Sequence, residues 1–156
     1  MLQLCYASVR KESQNDLLQD LSDILAVARK FNKEQNIVGA LYYAEGYFFQ
    51  CLEGDADKVN QLYSSIAQDL RHYNVHRFPD REVSVAGFGE WSMKYVHKHG
   101  DIASLFSSLG YSKFMPHELN SDTMQPFLQL LYNAEENQEN LASPQGYKQR
   151  GYVPYF

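Results

Sequence analysis

Apolar and polar positions alternate from Leu2 to Ser8, with Leu4, Tyr6 and Ser8 on one side and Gln3, Cys5 and Ala7 on the other, which predicts a strand. From Leu17 the period becomes helical. Leu17, Leu18, Leu21, Ile24, Leu25, Ala28 and Phe31 form one stripe, Ser13 or Asn15 is placed to cap its start, and Asn32 and Asn36 suit its end. Asp16, Asp20 and Asp23 precede Arg29, Lys30 and Lys33, as the helix dipole favours. The stretch Ile37 to Gly54 carries two apolar runs around Ala44-Glu45-Gly46, the mark of a β-hairpin. In its second run Phe48, Gln50 and Leu52 share one face, and Tyr47, Phe49 and Cys51 share the other. Gln50 is therefore a carboxamide in an apolar row, and burying it demands hydrogen-bond partners.

Asp55 can cap a second helix with the stripe Val59, Leu62, Tyr63, Ile66 and Leu70, ending near Arg71 to Asn74. A loop follows over His76 to Asp80. Glu82 to Phe88 alternates as a strand, and Trp91 to Val96 as another with Trp91, Met93 and Tyr95 on one face. The order βαββαββ predicts an α+β, ferredoxin-like sandwich with two helices on one sheet face. Asp101 to Leu109 and Ser121 to Glu136 read as two C-terminal helices that cover the aromatic second face, and the last twenty residues as loosely ordered. Residues 1–97 thus form one unit and 98–156 an extension.

Composition narrows the function. With 156 residues, 44% hydrophobic and 14% aromatic, the chain can bury a substantial core. A net charge of −5 argues against a nucleic-acid-binding face, and no apolar run reaches membrane-span length. The start MLQLCYASVRK does not read as a signal peptide, and Cys5 and Cys51 read as reduced core thiols, which together suggest the cytoplasm.

Common catalytic signatures are missing: there is no P-loop, GxGxxG, GxSxG or CxxC. His97 and His99 lack a third ligand at supporting spacing, so no metal site is assigned. Glu53-Gly54-Asp55 reads as helix capping rather than acid–base chemistry. An acylphosphatase-like hydrolase would need a glycine-rich loop, and Ser8-Val9-Arg10-Lys11 has none.

The patterning places Tyr6, Asn32, Gln50, Trp91 and Met93 facing inward. A phenol, two amides and an indole can hydrogen-bond the imide edge of a flat heterocycle, and the phenol can donate an electron and a proton. The residues permit such a pocket without establishing it.

The motifs CYAS with Tyr6 and Ser8, ARKFN with Asn32, GALYYAEGYFFQCLEG with Gln50, DLRH, and FGEWSMKYV with Trp91 and Met93 occur in this order. This series resembles the BLUF family of flavin-based blue-light sensors over Leu2 to Val96, and the whole chain is similar to its short stand-alone members. The resemblance implies FAD, with FMN able to substitute, held non-covalently between the two helices. It implies that Asn32 meets the flavin's C4 carbonyl and N3 edge, that Tyr6 is the electron and proton donor, and that Gln50 lies between Tyr6 and the ring. Ser8, Asp69, Arg71 and His72 match positions around the ring, and Trp91 and Met93 match residues that exchange places near Gln50. Phe31 and Ser65 stand where some members carry a polar residue and an Arg, so two contacts differ.

The photochemistry so implied is electron then proton transfer from Tyr6, relayed through Gln50, whose amide returns rotated or tautomerised. Absorption then moves slightly to the red with no net reaction, so the chain is a switch and not an enzyme. Its output would pass from the last strand to the C-terminal helices and be read by a protein partner, a transcription regulator by analogy; self-association stays open. The competing expectation is a light-independent interaction module on the same fold.

Overall fold

The computed structural model describes residues 1–12 and 16–135. The elements are β1 (Leu2–Arg10), α1 (Leu17–Gln35), β2 (Val38–Ala44), β3 (Tyr47–Gly54), α2 (Ala56–Ala67), β4 (His72–Arg77), β5 (Arg81–Glu82), β6 (Lys94–His97), α3 (Gly100–Ser108), a 3-10 turn (Pro116–Glu118) and α4 (Met124–Asn133). The sheet order is β4-β1-β3-β2-β6, with β5 pairing β1 beside β4. β1 and β3 are antiparallel, and β6 runs parallel to β2. The ferredoxin-like α+β class expected from the sequence is the class observed.

Strand alternation divides the core into two. On one face Leu4, Tyr6, Leu41, Phe48, Leu52 and Met93 pack with Leu21, Ile24 and Leu25 of α1 and Leu62 and Ile66 of α2. On the other Cys5, Ala7, Tyr42, Phe49, Cys51 and Val96 pack under Ile102 and Phe106 of α3 and Phe127, Leu128 and Leu131 of α4. The two cysteines are free and buried. Phe127 centres the second layer, meeting Phe49 edge-on at 4.7 Å and stacking at 6.0 Å on Phe114. The C-terminal helices therefore cover the second face as the pattern required. Among the described residues no helix is long and apolar enough to cross a membrane.

Local chemistry sets the joints. Asp16 caps α1 by accepting from Gln19 N at 2.8 Å; the expected alternatives Ser13 and Asn15 lie outside the described residues. The segment after Glu135, with the loosely ordered tail expected there and the end of the helix expected to reach Glu136, also lies outside them. Asn36 ends α1 in the left-handed region at φ 56, its N–H bonded to carbonyls of Asn32 and Lys33. Gly39 lies so close to β3 that a Cβ there would meet the Cys51 carbonyl oxygen at 2.0 Å.

Two strands differ from expectation. The second helix stops at Ala67, and His72–Arg77, expected as helix end and loop, is the edge strand β4. Its polar sequence HYNVHR fits an edge with one side open to solvent, and so lacks the apolar alternation that marks a strand. Conversely, Glu82 to Phe88 alternates, yet only Arg81–Glu82 pairs with β1, and Val85 is exposed. Alternation without a neighbouring strand to bond does not make sheet.

Replacing Phe127 by Ala removes the ring that four aromatic neighbours enclose. Urea unfolding is expected to show a loss of about 3–5 kcal/mol, whereas Leu18→Ala on the exposed side of α1 changes stability little.

Candidate functional site

The α1/α2 face of the sheet holds the polar groups that the pattern singled out. Tyr6 and Gln50 are opposite each other in the β1–β3 ladder, and both are fully buried. Tyr6 Oη donates to Gln50 Oε1 at 2.6 Å. Gln50 Nε2 then faces Met93 Sδ at 3.5 Å, a weak acceptor. Phenol, amide and thioether form one chain across three strands or their ends. Burial pushes the Tyr6 phenol well above its ordinary value, so it is a neutral O–H donor.

Asn32, fully buried in the last turns of α1, is not a cap as one reading of the sequence allowed. Its Nδ2 donates to Ser92 O at 2.8 Å, while its Oδ1 is buried with no hydrogen-bond partner. Arg29, one turn earlier, donates from Nε to Met93 O at 3.1 Å. The sequence places Arg29 among the basic residues that suit the helix dipole. In the structure Arg29 and Asn32 hold the backbone of Ser92 and Met93 against α1, and no local pattern announces that because both acceptors are main-chain carbonyls.

Two further rings flank Tyr6. The Tyr63 ring lies 5.7 Å from it and the His72 ring 6.0 Å. Tyr63 was legible only as a stripe residue of α2, and Arg77 covers its face at 5.0 Å. Asp69, buried, receives Arg71 Nη2 at 2.7 Å, Nε at 3.0 Å and the Arg71 backbone N at 2.8 Å. These three bonds fix the turn between α2 and β4. His72 is clamped between Ser8 Oγ and Ile66 O, each at 2.7 Å. The carbonyl can only accept, so Nε2 carries the proton and Nδ1 accepts from Ser8, the neutral tautomer.

Trp91 is the correction. It was expected inward on a strand from Trp91 to Val96, but the strand begins at Lys94 and the indole is 43% exposed. Trp91 N donates to Phe88 O and its carbonyl accepts from Gly39 N, each at 3.0 Å. Those bonds fold the backbone into a turn, which breaks the period-2 phase shared with Met93. Met93 takes the inward place at 1% exposed. Glu53 is corrected as well. It caps no helix; buried, it accepts from Gln3 Nε2 at 2.8 Å and Phe88 N at 3.2 Å on the sheet's other face, while Asp55 alone caps α2.

The polar groups on this face are complementary to a flat imide-edged ring. Asn32 Oδ1 lacks a donor, and Gln50 Nε2 has only a thioether before it. One unsatisfied acceptor and one underused donor, both buried on the same face between α1 and α2, match an edge that offers an N–H beside a carbonyl. The residues fit the isoalloxazine of a flavin.

A ferredoxin-like sheet with a buried phenol–amide–thioether chain beneath two helices is the setting of a flavin-binding sensor domain. Residues 1–94 match the family described as "BLUF: Sensors of blue-light using FAD", and the chain belongs to that family. The ground state of BlsA superposes with a TM-score of 0.88 at 41% identity, over 94% of this chain and 96% of that one. The photo-activated state of BlsA gives 0.84 at 44% identity, over 88% and 98%. The blue light- and temperature-regulated antirepressor BluF of Escherichia coli (strain K12) is 28% identical over 102 residues, covering 62% of this chain. The chain matches 25% of the length of that curated relative. The family is one of FAD-based light sensors.

Desolvation lowers the His72 pKa below 6.5, partly offset by the bond to Ile66 O. The unfolded chain therefore binds the proton more readily. Stability held by neutral His72 is present above about pH 6.5 and is lost as pH falls through the lower folded value. Denaturation midpoints at pH 7.5 and 5.5 are expected to show this drop, and His72→Gln is expected to lose the part that His72 contributes.

Proposed function

We propose that this chain is a blue-light switch that holds FAD non-covalently on the α1/α2 face and passes its light state to a protein partner. The observation that carries the reading is the Tyr6–Gln50 hydrogen bond at 2.6 Å, ending on Met93 and flanked by the partnerless Asn32 Oδ1. Bound flavin supplies blue absorption and, when excited, an electron acceptor. Tyr6 is the electron and proton donor, kept protonated by burial until light acts. Gln50 carries the proton and re-forms its bonds in a second orientation or tautomer. Asn32 holds the imide edge. Ser8, Asp69, Arg71 and His72 act behind the ring and Tyr6, fixing β1 and the α2–β4 turn, rather than as free ring ligands. Met93 senses the Gln50 amide, and Trp91, outside in this structure, is the side chain that exchanges with it. FMN offers the same ring and can substitute.

In this reading residues 1–97 are the photosensory unit, and 98–156 cap the second face and carry the output. A cytoplasmic location goes with it, supported by the two free buried thiols. The relative named an antirepressor supports a transcription regulator as the class of partner. β6 supplies the route, because Met93 faces the photochemistry and β6 leads directly into α3.

The test is a visible spectrum of the purified protein in darkness and after blue light. A flavin band that moves to the red and recovers in darkness supports the reading; flavin absent, or present without a reversible shift, overturns it. Tyr6→Phe is expected to keep flavin and abolish the shift, and a retained shift removes Tyr6 as donor. Asn32→Ala is expected to weaken flavin binding roughly tenfold, the worth of about one buried hydrogen bond, as read by flavin fluorescence titration.

A further inference from the structure

Successive residues of a strand face opposite sides of a sheet. Met93, just before β6, enters the Tyr6 core, and Lys94, the first residue of β6, turns to the other face. Lys94 is only 4% exposed. Its Nζ donates to Leu131 O at 3.0 Å and to Tyr132 O at 3.1 Å. These carbonyls lie in the last turn of α4, among those that a helix leaves without intrahelical donors. An ammonium there also meets the negative end of the helix dipole. Lysine is rarely buried without such partners. Gln3 Nε2 adds a bond to Tyr132 Oη at 3.1 Å, so the end of α4 is tied to the sheet by polar contacts as well as by Phe127 and Leu131.

We propose that Lys94 is the positioning residue through which a change at Met93 reaches α4. The inference deepens the photoreceptor reading and rests on it. Met93 and Lys94 share a peptide bond, so displacing the Met93 side chain from Gln50 moves the Lys94 backbone too. β6 is a short strand at the sheet edge, paired with β2 among the described residues, and the carbonyls of Ser92 and Met93 just before it are held by Asn32 and Arg29 of α1. A shift of about 1 Å carries both Nζ–O contacts past hydrogen-bonding distance. Both bonds come from a single ammonium, so they are lost together, and the end of α4 loosens. The linkage is reciprocal: if the lit state weakens this latch, re-forming the latch favours return to the dark state.

The test uses the full chain with FAD bound and follows the flavin spectrum together with hydrogen exchange across residues 124–133, in darkness and under blue light. In the wild type, light is expected to speed exchange at the end of α4. Lys94→Met keeps the stem but removes the donors. It is expected to retain the red shift, to lose the light–dark difference in α4, and to recover more slowly in darkness. Lys94→Arg, still a donor, is expected to restore part of both. A residue that only props up α4 would alter its exchange without moving the dark recovery of the flavin band. A wild-type recovery rate in Lys94→Met therefore overturns the proposal, as does a red-shifting wild type with no exchange change in α4. A wild type with no red shift removes the photoreceptor reading itself. Should Lys94→Met not fold, lysine labelled with carbon-13 at Cε reports directly on the wild type by NMR. The Lys94 signal, assigned by its loss in Lys94→Arg, should move under light and return in darkness, and an unmoved signal beside a shifted flavin band overturns the inference.

Discussion

The register of β1 against β3 is the constraint on which the other features depend. Pairing Leu4 with Leu52 places Tyr6 across from Gln50 and Cys5 across from Cys51. One ladder therefore sets a phenol against an amide on the α1/α2 face and closes the second core on the other. A slip by one residue would exchange every side chain between faces. If β1 slips, Tyr6 turns toward the α3/α4 layer while Gln50 stays under α1, and the two are separated. Both faces are buried, so the apolar rows on each side fix the register, and the Tyr6–Gln50 pair is positioned by ordinary packing.

The second determinant is the segment that leads into β6. Arg29 and Asn32 hold the carbonyls of Met93 and Ser92, and Gly39 holds that of Trp91. These main-chain bonds decide which side chain turns inward. They leave Met93 against Gln50 and the indole at the surface. α1 thus does more than cover the sheet: its last two turns set the backbone that leads into β6.

Polar groups that lie outside the photochemical chain tie the two layers together. Glu53, Gln3 and Tyr132 form one network that runs from the buried Glu53 to the half-buried Tyr132, and Lys94 with the end of α4 forms another contact beside it. Burial pushes the Tyr132 phenol up to about 12, so it stays a neutral hydroxyl that accepts from Gln3. Each of these groups would cost stability if left alone, and each is matched by a partner from another element. The extension after His97 is consequently built into the sheet's core, through Ile102, Phe106 and Phe127, as well as joined to it by the chain.

The amino-acid sequence by itself determined the helices, the hairpin, the faces of β1 and β3 and the family motifs. Each of these is written in a short-range period or a run of neighbouring residues, and the apolar rows demand the burial found. Only the tertiary structure decided that His72–Arg77 is a strand, that Glu82 to Phe88 is not, and that Met93 rather than Trp91 faces Gln50. It also decided that Glu53 and Lys94 serve the second face. These outcomes depend on which backbone groups lie within hydrogen-bonding distance across the fold. Glu53 meets Phe88, Arg29 meets Met93 and Lys94 meets Leu131, and no local pattern of polar and apolar positions encodes contacts between such distant residues.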